Sequence, residues 1–148
     1  MRMDENLLAP CGINCALCVH YQARRLDLDR RGFRKSYCTG CRSEDRSCAL
    51  KSACELLEQG SVRFCNECPG FPCVRLKRLD RRYDKYHTSL LERLDRIQTQ
   101  GIEAVLQQEQ AEWQCPTCGG VICCHNGLCL ACDLDTLVAN KTYRWGET

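Results

Sequence analysis

Two Cys-x2-Cys pairs, separated by ten residues, lie in the C-terminal third of the chain: Cys115, Cys118, Cys129 and Cys132. Thiolates held in pairs on tight turns can enclose a tetrahedral Zn²⁺ ion at about 2.3 Å from each sulfur. Pro116 and Gly119 suit the first turn, because the backbone after it can direct N–H groups at sulfur. Four protein ligands leave no open coordination position, so the pattern predicts a structural zinc ion and not a catalytic one.

Three further candidate ligands lie between the two pairs, at Cys123, Cys124 and His125. Asn126-Gly127 is typical of a two-residue hairpin turn, which would place Cys124 opposite Cys129. This predicts a zinc-ribbon hairpin, with one Cys-x2-Cys pair entering it and the other leaving it. Buried cysteines often act as small apolar residues. His125 could replace one thiolate or cap the hairpin.

The N-terminal half carries ten cysteines: Cys11, Cys15, Cys18, Cys38, Cys41, Cys48, Cys54, Cys65, Cys68 and Cys73. Two sites of four thiolates would use eight of them, so about three zinc ions are expected for the whole chain. Proximity along the chain suggests that Cys11, Cys15 and Cys18 take a fourth thiolate from the 65–73 segment, with Cys73 as a candidate. Cys38 and Cys41 would then join either the Cys65–Cys68 pair or Cys48 and Cys54.

An iron–sulfur cluster in the N-terminal half is the alternative, because thiolates also hold such clusters. It would make the protein a redox or oxidant-sensing protein. Neither of the common ferredoxin cysteine spacings is present. Zinc would leave the protein colourless, whereas a cluster would colour it brown.

The composition explains why the fold needs such cross-links. The chain has 16 cysteines among 148 residues, whereas Leu, Ile, Val and Phe together make only about a fifth. Too little apolar surface is available to offset the entropy of ordering the backbone. Residues 1–10 lack the apolar run of a secretory signal, and no stretch approaches a membrane span. We therefore expect a cytoplasmic protein, where reduced thiols more often bind metal than form disulfides.

The elements that position these cysteines are predicted to be mainly helices. Apolar residues recur every three or four positions over 74–98, which predicts one long helix. Shorter helices are predicted over 19–35 and 102–113. Gly101 is predicted to break the chain between the long helix and the helix over 102–113. The expected fold class is a small metal-stabilised, α-rich protein with little β-structure. Its predicted segments are a cysteine-rich loop-and-helix domain (1–73), a helical segment (74–113), and a zinc ribbon with a tail (114–148).

Charge and motif give few further indications of function. The net charge of +2 predicts no partner by itself, but six basic residues fall between Arg75 and Lys85. They could form a solvated helix face or a surface for nucleic acid. The three histidines are isolated in the sequence, and no catalytic triad or other pairing of a nucleophile with a base can be recognised. The sequence therefore does not favour an enzyme. An unidentified protein or nucleic acid is the expected partner.

The ordered motifs resemble those of an uncharacterised cysteine-rich family of small bacterial and archaeal proteins described as zinc-binding. The resemblance rests on Cys-Gly-x2-Cys-x2-Cys at 11–18, Cys-x-Gly-Cys at 38–41 and Cys-x-Glu-Cys-Pro-x-Phe-Pro-Cys at 65–73. The Trp113-x-Cys-Pro-x-Cys-Gly-Gly segment extends it towards the C-terminus. The resemblance implies that all ten N-terminal cysteines belong to a metal-binding pattern. It implies no reaction, because no activity is assigned to that family.

Overall fold

The computed structural model describes residues 2–43 and 54–146, so Cys48 lies outside the described residues. Of the described residues, 49% are helical. The β-structure found among them consists of three isolated antiparallel bridges. The predicted α-rich class with little β is thus confirmed. The helices are α1 (Val19–Leu26), α2 (Glu55–Glu58), α3 (Val74–Tyr83), α4 (Leu90–Gln100), α5 (Ile102–Glu112) and α6 (Leu134–Ala139).

Short 3₁₀ turns complete the helical structure, at Glu5–Leu7, Cys15–Leu17, Leu28–Arg31, Cys65–Glu67 and Asp84–Tyr86. Within the described ranges, no helix combines the length and the apolar character that crossing a bilayer would require.

The single long helix predicted over 74–98 is wrong, because α3 and α4 are separate helices. His87 adopts a left-handed conformation (φ 59°) between them. Ser89 then caps α4 by accepting a hydrogen bond from the Glu92 N–H. The Asp80 carboxylate on α3 accepts hydrogen bonds from the first two N–H groups of α4, at 2.7 and 3.1 Å. A carboxylate favours a helix N-terminus, because it satisfies otherwise unpaired donors there.

The helix predicted over 19–35 is also shorter than expected. Asp27 takes a left-handed conformation (φ 49°) and ends α1 at Leu26. The chain continues as the 3₁₀ turn Leu28–Arg31 and leaves it at Gly32, whose φ is 88°. The predicted break at Gly101 is confirmed, since this residue alone separates α4 from α5 with φ 91° and ψ 158°.

The apolar stripe predicted along α3 and α4 does face the interior. Leu76, Leu90 and Leu94 are fully buried, and Tyr86 and Ile97 are nearly so. They belong to a core cluster that also includes Leu8 and Leu17 from the N-terminal segment and Val121 and Cys124 from the C-terminal segment. A second cluster joins α1 to the tail through residues including Ala23, Leu28, Cys123, Leu130 and Leu137. Both clusters therefore combine N-terminal and C-terminal residues. The three-segment division stays a prediction.

A buried ion pair between α4 and α5 fixes the position of the N-terminal loop. The side chains of Arg93 and Glu109 are 2% and 1% exposed. The Arg93 guanidinium donates to the Glu109 carboxylate, to the Thr88 hydroxyl, and at 2.8 Å to the carbonyl of Gly12. The amide of Asn14 lies 3.4 Å from the same Glu109 carboxylate. Burial is tolerated because these partners satisfy the charges.

The N-terminal loop can approach α4 this closely only because residue 12 is glycine. Gly12 has φ +93°, and a Cβ there would lie 2.5 Å from the Leu90 carbonyl oxygen and 2.9 Å from Leu94 Cγ. Any other L-residue would clash with the helix and adopt an unfavourable backbone conformation. The loop that begins the cysteine-rich segment is thereby held directly on α4.

We predict that Arg93→Met destabilises the protein by about 3–5 kcal/mol, because the buried Glu109 carboxylate loses its main cationic partner. It would keep only the Asn14 amide at 3.4 Å and the Arg96 guanidinium at 3.6 Å. The measurement is urea unfolding at a fixed free zinc concentration. Arg93→Met/Glu109→Leu should cost less than the sum of the two single variants, because it removes both of the fully buried charges together.

The control is Arg78→Met on the exposed face of α3, which should change stability by no more than about 0.5 kcal/mol. A loss for Arg93→Met as small as that of the control would show that the buried pair does not organise the fold.

Candidate metal centre

Four cysteine side chains converge in the C-terminal third, and we call them the thiol tetrad: Cys115, Cys118, Cys129 and Cys132. Their sulfur atoms all lie within 4.8 Å of one another. The sulfurs of Cys118 and Cys129 are 3.6 Å apart. A regular tetrahedron with metal–sulfur bonds of about 2.3 Å has sulfur–sulfur edges of about 3.8 Å. The spacing is therefore close to that of a thiolate-bound ion, and the tetrad could hold a metal.

A tight turn, closed by two backbone hydrogen bonds, positions the first pair, Cys115 and Cys118. The Gly119 N–H donates to the Cys115 carbonyl at 2.9 Å, and the Cys115 N–H donates to the Gly120 carbonyl at 2.7 Å. The Gly120 N–H donates to the Cys118 sulfur at 3.3 Å. A Cβ at position 120 would lie 3.2 Å from that sulfur, so glycine leaves room for the thiol. Hydrogen bonds of this kind orient a sulfur towards a bound ion.

The second pair is reached through a turn that differs from the predicted one. Ile122 pairs with Cys129 in an isolated bridge, and the Cys123 N–H donates to the Leu128 carbonyl at 2.9 Å. The turn therefore contains four residues, 124–127, and the expected pairing of Cys124 with Cys129 is wrong. Gly127 has a positive φ, but Asn126 does not. The Asn126 side chain instead accepts from the Leu128 N–H at 3.0 Å. Among the described residues these isolated bridges do not confirm the predicted zinc-ribbon hairpin.

The tail stabilises the turn through Trp145. Its indole N–H donates to the Cys124 carbonyl at 3.0 Å. A Cβ on Gly127 would lie only 2.6 Å from the nearest atom of the Trp145 ring, so only glycine leaves room for the indole. The tail therefore packs against this turn.

Interactions among the tetrad sulfurs oppose the deprotonation of two of them, Cys129 and Cys132. The backbone N–H groups of Cys118 and Thr117 lower the pKa of the Cys115 thiol to about 7. Hydrogen bonds with the sulfurs of Cys118 and Cys129 raise the pKa of Cys132 to about 12, and burial raises the pKa of Cys129. One sulfur is thus prepared to be a thiolate, whereas others retain protons that a metal ion would displace.

The intervening residues do not join the tetrad. Cys123 and Cys124 are buried in the two core clusters, and burial raises the pKa of Cys123 to about 12. His125 Nδ1 accepts a hydrogen bond from the Val19 N–H at 3.2 Å, and its ring lies 4.5 Å from that of Tyr86. Burial lowers the pKa of His125 to about 4. Burial thus favours a neutral imidazole at the start of α1, which can accept the hydrogen bond from Val19.

Some of the N-terminal cysteines lie together at the start of α1. The Cys41 N–H donates to the Cys15 sulfur at 3.3 Å, and the Gly40 N–H donates to the Cys38 sulfur at 3.4 Å. Burial raises the pKa of Cys18, while the N–H groups of Tyr21 and His20 oppose that shift. The thiol of Cys41 raises the pKa of Cys15 through a hydrogen bond. Cys38 and Cys41 thus lie beside Cys15 and Cys18.

The remaining described cysteines form a different arrangement. Cys54, Cys65, Cys68 and Cys73 border one small cavity. This places Cys73 on the same cavity as Cys65 and Cys68. Cys11 is 2% exposed and lies in the main core cluster.

We predict that Cys132→Ser removes about one bound metal ion per chain and lowers the thermal transition, because three thiolates hold zinc less tightly than four. Cys132 is exposed, so without a metal the change would have little effect on stability. Native mass spectrometry and circular dichroism melting measure the two effects. The control Asp133→Asn changes an adjacent exposed residue and should alter neither. Unchanged metal content in Cys132→Ser would contradict a metal centre at the tetrad.

The comparisons with known proteins concern the N-terminal half. Residues 7–78 match a family model described as "Protein of unknown function (DUF3795)". Neither the search of curated proteins nor the search of solved structures finds a match. The matched segment contains all ten N-terminal cysteines and ends before the tetrad. The chain is thus similar, over residues 7–78, to an uncharacterised domain with no assigned function.

Proposed function

We propose that the chain is a zinc-stabilised binding module whose thiol tetrad holds a structural zinc ion. The observation that carries the proposal is the convergence of four sulfurs within 4.8 Å of one another. Thiolates are soft ligands, and a tetrahedral set of four favours zinc or iron among the biological metals. All four positions are filled by the protein, which leaves no site for a substrate or an activated water.

The partner we propose is nucleic acid, bound through the basic face of α3. The six basic side chains of this region are all exposed: Arg75, Lys77, Arg78, Arg81, Arg82 and Lys85. Within the described part of the chain, no carboxylate lies within ion-pair distance of Lys77, Arg78, Arg81 or Arg82. Clustered cations without internal partners favour a polyanion, because binding releases the counterions condensed on its phosphates.

Of the two acidic residues within 75–85, Asp84 is exposed and Asp80 is already engaged. The Asp80 carboxylate accepts three hydrogen bonds, from the Ser89 hydroxyl and from the N–H groups of Leu90 and Leu91. It therefore serves the N-terminus of α4 in addition to lying among the basic residues. The positive surface also continues past α3, because Lys85 and Arg144 both lie over the Tyr86 ring, at 5.2 and 5.4 Å from its centre.

A second basic cluster provides a matched control. Arg30, Arg31 and Arg34 are equally exposed, but Arg30 pairs with Asp27 at 3.6 Å and Arg34 with Asp29 at 3.8 Å. Three arginines can therefore be neutralised on either surface with the same change in net charge. A difference in affinity between the two triple variants would therefore reflect where the positive charge lies and not how much of it is removed.

We predict that Arg78→Gln/Arg81→Gln/Arg82→Gln weakens binding to a labelled oligonucleotide by at least about tenfold at low salt. The slope of log affinity against log salt concentration should also become shallower by about 2–3, because three phosphate contacts are lost. Fluorescence anisotropy over a salt series measures both quantities. Arg30→Gln/Arg31→Gln/Arg34→Gln should change affinity by less than about threefold.

Equal losses in the two triple variants would mean that only net charge matters, and absence of binding in the unaltered protein would exclude nucleic acid. In both variants the zinc content should equal that of the unaltered chain, since neither removes a thiol.

A further inference from the structure

A small cavity lies between the end of α2, the Cys65–Glu67 turn and the beginning of α3. Its volume is about 30 Å³. The described residues that line it comprise four cysteines, one glycine and four apolar side chains: Cys54, Cys65, Cys68, Cys73, Gly70, Leu57, Val62, Phe71 and Leu76. A space of this size accommodates one or two water-sized spheres, since a single water needs about 10–15 Å³ on the same measure.

The lining suits a soft cation better than water. A buried water is stable when it makes about three hydrogen bonds to polar groups. The side chains around this cavity are aliphatic, aromatic or thiol, and a thiol is only a weak donor and acceptor. Thiolates are, by contrast, strong ligands for zinc and related thiophilic ions.

Three short chain segments bring the four thiols to the cavity. Cys54 directly precedes α2, and Cys73 directly precedes α3. Cys65 begins the intervening 3₁₀ turn and Cys68 follows its last residue. A hydrogen bond from the Cys68 N–H to the Cys65 carbonyl closes this turn at 3.0 Å. The Cys65 N–H donates to the Pro10 carbonyl at 2.8 Å, which ties this turn to the N-terminal loop.

Gly70 lies next to the sulfur of Cys68. A Cβ at this position would lie 3.9 Å from the Cys68 sulfur, in ordinary van der Waals contact. In the tetrad, Gly120 stands in the same place, two residues after Cys118, the second cysteine of its pair. The two Cys-x2-Cys turns therefore share a glycine next to the sulfur that faces the enclosed space.

We propose that Cys54, Cys65, Cys68 and Cys73 bind a second thiophilic divalent cation, of the zinc class, at this cavity. Within the described ranges only the tetrad has all its sulfurs within 4.8 Å of one another, so the ion would draw the cavity thiols together. Cys73 is exposed and Cys68 is half-buried, so neither thiol is locked in the apolar core. Binding would release the thiol protons as the metal–sulfur bonds form, with no change of oxidation state. The proposal does not depend on nucleic-acid binding.

The test counts metal ions in the full-length chain, reconstituted with zinc and then treated with a moderate chelator. Native mass spectrometry should show that Cys68→Ser and Cys73→Ser each lose about one ion relative to the unaltered protein. Cys73→Ser/Cys132→Ser should lose about two, because its two substitutions affect separate sites. Reconstitution with Co²⁺ gives a second readout, since each lost site should remove its share of the sulfur-to-cobalt charge-transfer absorbance.

Val62→Ala is the matched control, because it trims the cavity wall and leaves every thiol in place. It should retain the full metal content. The proposal is overturned if Cys68→Ser and Cys73→Ser keep the full metal content, or if Val62→Ala loses as much metal as they do. Full retention in the cavity variants together with loss in Cys132→Ser would reject the cavity site and leave the tetrad intact.

Discussion

Four sulfur atoms crowded into a space of a few ångströms cannot all carry negative charge unless a cation lies among them. In the tetrad this repulsion is partly relieved by protons and partly by backbone N–H groups that point at the sulfurs. A divalent ion would replace those protons and join two turns that are distant in sequence. Between Cys115 and Cys132, the described backbone is otherwise ordered by isolated bridges and turn hydrogen bonds. The local fold thus depends on how the charge of these thiolates is neutralised.

The helical part is organised by a different electrostatic contact, the buried pair of Arg93 and Glu109. This pair joins α4 to α5 and also reaches the carbonyl of Gly12 in the N-terminal loop. The loop leads directly into Cys15 and Cys18, so the helices position the first cysteines of the chain. The C-terminal turn returns to the same region, because the Cys124 N–H donates to the Leu17 carbonyl at 2.9 Å. The cysteine-rich segments are therefore held on one helical scaffold.

The sequence was sufficient where the determining interactions are local. The spacing of Cys115, Cys118, Cys129 and Cys132 predicted the tetrad, because each pair is set by its own short turn. The apolar period identified the face of α3 and α4 that is buried. The break between them was missed, because it arises from the Asp80 carboxylate on α3 binding the N-terminus of α4, and a continuous apolar stripe does not reveal such a contact.

Longer-range pairings were not accessible from the sequence. Arg93 and Glu109 each look like surface residues of an amphipathic helix, and only the packing of two helices buries them together. Asn126-Gly127 favoured a two-residue turn, but the Asn126 side chain binds its own backbone and a four-residue turn forms. The grouping of Cys73 with Cys54 depends on the position of α2 against α3. Chain proximity alone had suggested another partner.

Metal analysis of protein purified without oxygen, combined with its visible spectrum, tests the central claim most directly. A zinc-stabilised module should be colourless and contain zinc bound in a chelator-sensitive way, with the tetrad contributing about one ion per chain. Removing that zinc should collapse the circular dichroism signal, because structural zinc contributes free energy comparable with the net stability of a small domain. A broad brown absorbance with stoichiometric iron and sulfide would contradict the account and identify an iron–sulfur protein.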